Sequence, residues 1–407
     1  MKILFVCGVY PKSDENLFRA HCRGVGLQNA ANTFQWALIE GLYLNNADFE
    51  VISFPFLPGY PIHYNKLFSP SGSLFYQGYK IGTFRRYNTF FLYKDFSKKR
   101  RLSIYLNKWL KANCDGNEDK IVILTYTPSS CFMNAIIPLK AKYPFIQICS
   151  IVPDLVDDAT NPIFNLSWLK YQQARLEQKA VKTSYNYIEK FILLSSAMEE
   201  KIPQAHNRSI VVEGIASKID MLSVPLKQDT IKTVLYTGTI QEFTGILNLI
   251  RAFRQTKDSN YRLIICGAGD CVNRVLELSN GDSRIEYKGS IPRDEAVALQ
   301  HEATLLVNPR QPNVSLTRYS FPSKTMEYLS SGTPMLGYQL EGIPSEYYDY
   351  IYSPKDFSDE ALAEKIDEIL SMSPENLREA GERAKFFIHS YKEAKYQVKR
   401  IIDFLQK

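Results

Sequence analysis

The chain has 407 residues, of which 45% are hydrophobic and 23% charged, the composition of a globular protein with room for two domains of ordinary size. No stretch approaches the roughly 20 apolar residues of a membrane-spanning helix. The seven cysteines are scattered without a CxxC pair, which argues against a disulfide framework and a zinc site, and the net charge of +6 is modest.

The sequence opens on a short apolar run that is followed by Gly and Pro. A signal peptide needs a longer apolar run and a small-residue cleavage site, so this pattern predicts a buried strand and a cytoplasmic protein. Strands alternate with amphipathic helices through the first half, which predicts a parallel sheet covered by helices on both faces. The predicted strands are Ile3–Cys7, Val51–Phe54, Ile121–Thr125, Ile146–Val152 and Phe191–Leu194, and the predicted helices are Ala31–Leu42 and Trp168–Val181.

The positive charge is concentrated between Lys80 and Lys111. This stretch holds ten basic residues and one acidic residue, Asp95, with Phe and Tyr interleaved among them. Anionic lipid and nucleic acid would both be attracted to it, whereas an ordinary solvated loop or helix face explains the charges equally well. We expect contact with an anionic membrane here and no nucleic-acid partner.

A carboxylate follows the predicted strand Ile146–Val152. Asp154 stands at the carboxyl end of that strand, where ligands bind in open α/β sheets. Asp154 is our candidate for the group that orients or deprotonates a substrate hydroxyl. A capping or purely structural aspartate remains open.

The strand and helix pattern restarts in the second half. A polar segment near Gly214–Val224 separates the two series, which predicts domains at 1–215 and 216–391. The amphipathic pattern of 392–407 predicts a helix that packs back on the first domain. The later strands are Thr233–Tyr236, Arg262–Cys266, Arg284–Tyr287, Thr304–Val307 and Met335–Tyr338, and the later helices are Ile246–Arg254, Asp294–Gln300, Ser323–Ser330 and Glu360–Leu370.

A glycine-rich turn follows the strand that ends at Cys266. Gly267 and Gly269 stand two residues apart in GAGD, which is too short for a dinucleotide fingerprint and gives no indication of NAD. The turn would let the backbone approach a nucleotide, and a simple tight turn is the alternative.

The most informative segment is 305–336, LLVNPRQPNVSLTRYSFPSKTMEYLSSGTPML. A strand ends beside Arg310, and Ser323 can cap the following helix, whose free N–H groups favour a phosphate. Lys324 in the first helical turn opposes the helix dipole, which is better explained if an anion binds there. Glu327 lies one turn further on and can accept hydrogen bonds from a ribose. The alternatives are a surface Glu–Lys pair and, for Arg310, a salt bridge within its loop.

This segment resembles the donor-binding region of GT-B glycosyltransferases of family 4, the glycosyl transferases group 1, and is most similar to the bacterial polysaccharide enzymes. YTGTIQEFTG, ICGAGD and KGSIPRDE extend the resemblance through the second half, and it is diffuse in the first. It implies two Rossmann-like domains that face a central cleft, an acceptor-binding first domain and a donor-binding second domain. It also implies that Glu327 holds the ribose. The loops at Gly238, Thr239 and Ser323 would hold the diphosphate, and the loop with Gly24 and Gly26 would lie beside the acceptor.

The sequence departs from the family pattern at the charged positions. Tyr319 stands eight residues before Glu327, where the family has its first glutamate. Gly238-Thr239 replaces the usual Gly-Arg, and Thr244-Gly245 replaces the usual Lys-Gly. We therefore expect Arg310 and Lys324 to supply the charge that faces the leaving diphosphate.

The resemblance implies a retaining transferase that moves a sugar from a nucleotide-sugar donor to a glycan acceptor, commonly lipid-linked, in bacterial capsule, exopolysaccharide or lipopolysaccharide synthesis. No Asp-x-Asp run is present, and we expect no metal and no cofactor besides the donor. The rival hypothesis is a catalytically silent subunit that binds a partner enzyme or a glycan. A nucleotide-sugar epimerase of the same fold would need a cluster of carboxylates and a histidine, which the sequence does not show.

Overall fold

The computed structural model describes residues 1–23, 27–114, 120–156, 168–216, 231–312 and 315–407. The chain forms two compact units. The first comprises Met1–Val212 together with Ala394–Lys407, and the second comprises Glu213–Glu393. In the described part of the chain, no helix is both long and apolar enough to cross a membrane.

The first unit is built on an eight-stranded sheet in the order β3-β4-β2-β1-β5-β6-β7-β8. All neighbouring strands run parallel except β3 and β4, which form an antiparallel hairpin at one edge. The central strands are almost entirely buried because helices cover both faces of a parallel sheet. The strands are β1 (Lys2–Cys7), β2 (Asp48–Ser53), β3 (Gly72–Tyr76), β4 (Tyr79–Phe84), β5 (Ile121–Tyr126), β6 (Gln147–Val152), β7 (Lys190–Leu193) and β8 (Ser209–Val211).

The helices of the first unit come from both ends of the chain. They are α1 (Glu15–Arg19), α2 (Asn29–Leu44), α3 (Lys94–Asn113), α4 (Ser130–Ile136), α5 (Trp168–Ser184) and α13 (Ala394–Gln406). Helix α13 buries Val398, Ile401 and Leu405 and packs against α2. Lys120 and Lys190 donate hydrogen bonds to the carbonyl oxygen of Leu405, at 2.6 and 3.3 Å. Cations at this end complement the helix dipole.

The second unit is built on a six-stranded parallel sheet in the order β11-β10-β9-β12-β13-β14. Its strands are β9 (Lys232–Thr237), β10 (Tyr261–Cys266), β11 (Ile285–Gly289), β12 (Leu305–Asn308), β13 (Met335–Gly337) and β14 (Ile351–Tyr352). Its helices are α6 (Ile246–Gln255), α7 (Val272–Ser279), α8 (Arg293–Glu302), α9 (Ser315–Arg318), α10 (Ser323–Ser331), α11 (Asp359–Ser371) and α12 (Pro374–Tyr391). The core lies between the sheet and these helices.

A buried ion pair joins the two ends of the second unit. Lys392 Nζ lies 2.6 Å from Glu213 Oε1 and 2.5 Å from Glu346 Oε1, and the Tyr347 hydroxyl donates to Glu213 Oε1 at 2.8 Å. The Lys392 and Glu213 side chains are only 6% and 3% exposed, so neither charge could stay buried without the other.

All the strands and helices predicted from the sequence are present, with ends that differ by a few residues. Several elements were not predicted: the β3–β4 hairpin, strand β14 and helices α1, α4, α7, α9 and α12. Residues 80–111, expected to be a loop or a helix face, contain β4 and most of α3. The fold class predicted for the two sheets is confirmed.

Helix α3 corrects one expectation about the basic stretch. Lys98 points to the interior and is only 4% exposed. Its Nζ lies 4.7 Å from the ring centre of Tyr87 and 5.6 Å from that of Phe56. Burial, assisted by Lys94, lowers the pKa of Lys98 to about 8. Lys98 therefore cannot contact a membrane surface, in contrast to the exposed Lys99, Arg100 and Arg101.

Candidate functional site

The carboxyl end of β9 is held by a buried tyrosine. The Tyr328 hydroxyl accepts a hydrogen bond from Thr237 N at 2.9 Å and donates one to Thr237 O at 3.1 Å. Burial raises the pKa of Tyr328 far above its usual value, so the hydroxyl stays protonated and can donate. Helix α10 is thereby fixed to the end of the central strand of its sheet.

Four polar side chains from three elements meet at this strand end. Gln300 Nε2, from α8, donates to Thr237 Oγ1 at 2.9 Å and to Glu327 Oε1 at 2.5 Å. Lys324 Nζ lies 3.1 Å from Glu327 Oε1 and 3.4 Å from Thr237 Oγ1. Within the described residues, these bonds all fall on Oε1 and none reaches the second oxygen of Glu327.

The electrostatics of the cluster keep Glu327 ionised. Burial by itself would raise the pKa of this carboxyl, since its side chain is only 19% exposed. The charge of Lys324, the Gln300 amide and the more distant Arg293 overcome that effect and lower the pKa below its usual value. The arrangement is a fixed hydrogen-bond acceptor beside a cation.

Two glycine-containing turns meet beside the cluster. Gly238 follows Thr237, and Gly267 follows β10 with φ of +148°. A Cβ at Gly267 would overlap the carbonyl oxygen of Gly238, so glycine is needed for the two turns to approach. The exposed Gly269 belongs to the same turn, and the exposed Thr239 accepts a hydrogen bond from the Tyr236 hydroxyl at 2.6 Å through its backbone oxygen. These turns present backbone, with little side chain, at the edge of the sheet.

Arg310 enters the same edge of the sheet from the loop after β12. Gly245, with φ of +77°, allows its turn to touch the backbone of Pro309, where a Cβ would overlap the Pro309 carbonyl oxygen. The guanidinium lies 5.5 Å from the ring centre of Phe243. Burial raises the pKa of the Tyr236 hydroxyl to about 12, an effect that the Thr244 side chain and the Arg310 charge oppose.

The start of α10 differs from the expectation in one detail. Pro322 is the N-cap residue and Ser323 is the first helical residue, exposed and without a side-chain capping bond. The free backbone N–H groups of the first turn are therefore not occupied by the Ser323 side chain. The first-turn N–H of Thr325 donates to the Pro322 carbonyl oxygen at 2.9 Å, so the N–H groups of Ser323 and Lys324 are the ones that can face an anion.

The structure brings most of the predicted donor-side residues together, since Gly238, Thr239, Gly267, Ser323, Lys324 and Glu327 lie on adjoining segments. Arg310 lies on the loop whose backbone approaches Gly245. Asp154 belongs to the first unit, where it is exposed two residues after β6 and adds to the effect of burial in raising the pKa of Tyr126. Gly24 and Gly26 lie outside the described residues.

Three residues of the cluster were not predicted from the sequence. Thr237 ends a strand at the functional edge of the sheet, a position that could have drawn attention to it. Gln300 is one amide in an ordinary amphipathic helix, and Tyr328 looks like a core residue, so neither carried a local signal. Within the described residues, no group of three or more His, Cys, Asp or Glu side chains could hold a metal ion.

The second unit also matches a known family. Residues 231–372 match the model of the glycosyl transferases group 1, whereas no curated protein matches the sequence. This segment contains the whole Thr237–Gln300–Lys324–Glu327 cluster.

The chain is similar in structure to solved proteins along its whole length. Sucrose-phosphate synthase from Thermosynechococcus elongatus has a TM-score of 0.65 at 15% identity, with 100% of this chain and 98% of that chain covered. HepE from Anabaena, in complex with UDP, has a TM-score of 0.56 at 13% identity, with 100% of both chains covered. A mutant of TarM from S. aureus, in complex with fondaparinux, α-GlcNAc-glycerol and UDP, has a TM-score of 0.61 at 11% identity, again with 100% of both chains covered. Residues 231–372 match the glycosyl transferases group 1, and the chain as a whole has the fold of the GT-B glycosyltransferases.

Proposed function

We propose that this chain is a retaining glycosyltransferase that moves a sugar from a nucleoside diphosphate sugar to a glycan acceptor. The observation that supports the donor site is the cluster of Lys324, Glu327, Gln300 and Thr237 at the carboxyl edge of the second sheet. The complexes of HepE and TarM with UDP favour a nucleoside diphosphate as the ligand of this unit.

In the proposed reaction, the bond between the anomeric carbon of the sugar and the diphosphate oxygen breaks. The electron pair stays on the diphosphate, whose added charge is neutralised by Lys324, Arg310 and the free N–H groups at the start of α10. Glu327 holds a ribose hydroxyl through its second oxygen, while Gln300 and Lys324 fix the carboxylate. The acceptor oxygen forms the new bond to the anomeric carbon, and its proton passes to Asp154, the proposed group that orients the hydroxyl.

We further propose that the acceptor is lipid-linked and that the enzyme works at the inner face of the plasma membrane in polysaccharide synthesis. Support comes from the surface at the start of α3. Leu92 and Phe96 are 72% and 54% exposed, and Lys99, Arg100 and Arg101 are exposed beside them. Exposed apolar and basic side chains on one surface suit an anionic lipid interface.

The proposed activity is tested with purified protein and a panel of UDP-sugars, by measuring UDP release with and without a membrane extract as the source of acceptor. We expect release that depends on one sugar and rises with the extract. Glu327→Ala should lower kcat/KM at least tenfold because the ribose contact and the anchor of Lys324 are both lost, whereas Glu379→Ala, an exposed glutamate of α12, should leave it unchanged.

A silent subunit gives a different pattern in the same experiment. It would bind UDP without releasing it from any sugar. Normal turnover by Glu327→Ala protein would exclude the ribose assignment and leave the rest of the proposal standing.

A further inference from the structure

A cavity of about 290 Å³ lies within the first unit. It forms where the segments that follow β1, β2 and β4 come together, and these three strands are parallel, so their carboxyl ends share one edge of the sheet. Ligands of open α/β sheets bind at such an edge. The lining residues are His21, Tyr64, Lys66, Phe68, Ser69, Pro70, Ser71 and Arg86.

The cavity lining is basic and contains no acidic residue. Lys66 and Arg86 supply two cations, and the sequence from 51 to 94 contains no Asp or Glu at all. The Arg86 guanidinium lies 4.6 Å from the ring centre of Phe68, a cation–π contact that positions the charge without neutralising it. Among the described residues, no carboxylate pairs with Lys66 or Arg86.

Two of the residues that line the cavity also carry buried polar atoms that lack partners. Within the described parts of the chain, neither the Tyr64 hydroxyl nor His21 Nδ1 has a hydrogen-bond partner. Tyr64 is fully buried, and the two rings stand almost perpendicular, at 88°, with their centres 6.0 Å apart. Burial, with a smaller effect from Cys22, raises the pKa of Tyr64 to about 12, so its hydroxyl remains a donor. Unsatisfied buried donors are costly, and a ligand oxygen would remove that cost.

We infer that this cavity binds a phosphate group carried by the acceptor. A phosphate monoester offers two negative charges and several acceptor oxygens, which match the two cations of the lining better than a single carboxylate does. The cavity has room for a phosphate and part of an attached sugar. The inference rests on the proposed function, because it places the acceptor in this unit. The phosphate can belong to a soluble sugar phosphate or to a lipid phosphate.

The first test compares glucose 6-phosphate with glucose by calorimetric titration of the full-length protein. We expect binding of the phosphorylated sugar alone. Arg86→Gln should weaken that binding roughly tenfold or more, as expected for the loss of a charged hydrogen bond. Lys80→Gln, which removes an exposed cation from β4, should have no effect. Lys324→Gln is a second control, because the sugar phosphate could also bind at the proposed donor site of the second unit.

Equal binding of glucose and its phosphate, or a loss that follows Lys324 and not Arg86, would overturn the inference. The source of the phosphate is decided with neutral vesicles that carry a polyprenyl phosphate. Vesicle binding that Arg86→Gln abolishes indicates the lipid-borne group, and glucose 6-phosphate binding without vesicle binding indicates the soluble one. UDP release is measured in parallel. If it persists while phosphate binding fails, only the cavity assignment falls; if it fails while phosphate binding persists, the proposed function falls.

Discussion

Two charged side chains of the proposed donor site, Lys324 and Glu327, form an ion pair with each other. Lys324 stands in the first turn of α10, where the helix dipole disfavours a cation. Glu327, three residues later, supplies the opposing charge in the unliganded chain. In the proposed complex, a diphosphate would bring two further negative charges to the same place. Arg310 has a different support, the ring of Phe243.

The proposed role of Arg310 and Lys324 in binding the diphosphate gives a prediction that substitutions can test. Arg310→Gln and Lys324→Gln should each weaken UDP binding by roughly tenfold and uridine binding by much less, because the lost contact is to phosphate. Calorimetric titration with both ligands measures the difference. Lys355→Gln is the matched control, since Lys355 is an exposed lysine of the same unit. Equal losses for UDP and uridine would show that the two cations do not face the diphosphate.

Helix α3 carries many charged side chains, most of them in solvent and one of them, Lys98, buried. Its basic residues alternate with an apolar stripe of Leu102, Leu106, Trp109 and Leu110 that packs into the first unit. Lys98 falls on that stripe and is enclosed by Phe56 and Tyr87. The helix therefore carries one lysine as a core residue while its neighbours in sequence stay in solvent.

Lys98→Met tests the cost of this buried charge. The folded-state pKa of about 8 lies below the usual 10.5, so between these values the unfolded chain binds a proton that the folded chain does not, and stability from this group rises with pH. Below pH 8, Lys98 is charged in the folded protein, and the burial of that charge lowers the free energy of unfolding by its full amount. Lys98→Met should therefore raise the free energy of unfolding by roughly 1–3 kcal/mol at pH 7.

The stabilisation should shrink as the pH rises from 8 toward 10. Urea unfolding of the wild type and of Lys98→Met at pH 7, 8, 9 and 10 measures this stabilisation. Subtracting one free energy of unfolding from the other cancels the titration of the other groups. Lys99→Met, at an exposed position of the same helix, should show no such trend. A difference that stays constant with pH would mean that Lys98 is not desolvated.

At the scale of the whole molecule, the chain closes its first unit with its own last helix. Helix α13 follows the second unit in the chain and packs against α2. Lys120 and Lys190 donate hydrogen bonds to its final carbonyl groups. The same unit carries the acid-free segment 51–94, the phosphate cavity and the exposed start of α3. Positive charge is thus concentrated in the unit to which we assign the acceptor.

The proposed membrane contact predicts binding to anionic vesicles. Each basic residue near an anionic surface contributes about 1 kcal/mol to binding. Changing Lys99, Arg100 and Arg101 to Gln should therefore lower the affinity for phosphatidylglycerol vesicles by roughly a hundredfold, which co-sedimentation measures. Salt should weaken the wild type in the same direction. Changing Lys395, Lys399 and Arg400 to Gln removes the same charge from exposed positions of α13 and should have little effect. Equal losses in the two triple variants would indicate a response to net charge alone, without a specific surface.

The sequence by itself determined the two series of strands and helices, because the periods of apolar residues are local properties of the chain. It also determined that Lys324 and Glu327 share a helix face, since residues three apart are neighbours on any α-helix. The tertiary structure alone decided which partners these side chains meet. Thr237, Gln300 and Glu327 are far apart in sequence and become neighbours only because α8 packs against β9 and α10. It also decided that Lys98 is buried while Lys99 is exposed, because the direction that a helix face points depends on the elements packed against it, and no local pattern of charge contains that information.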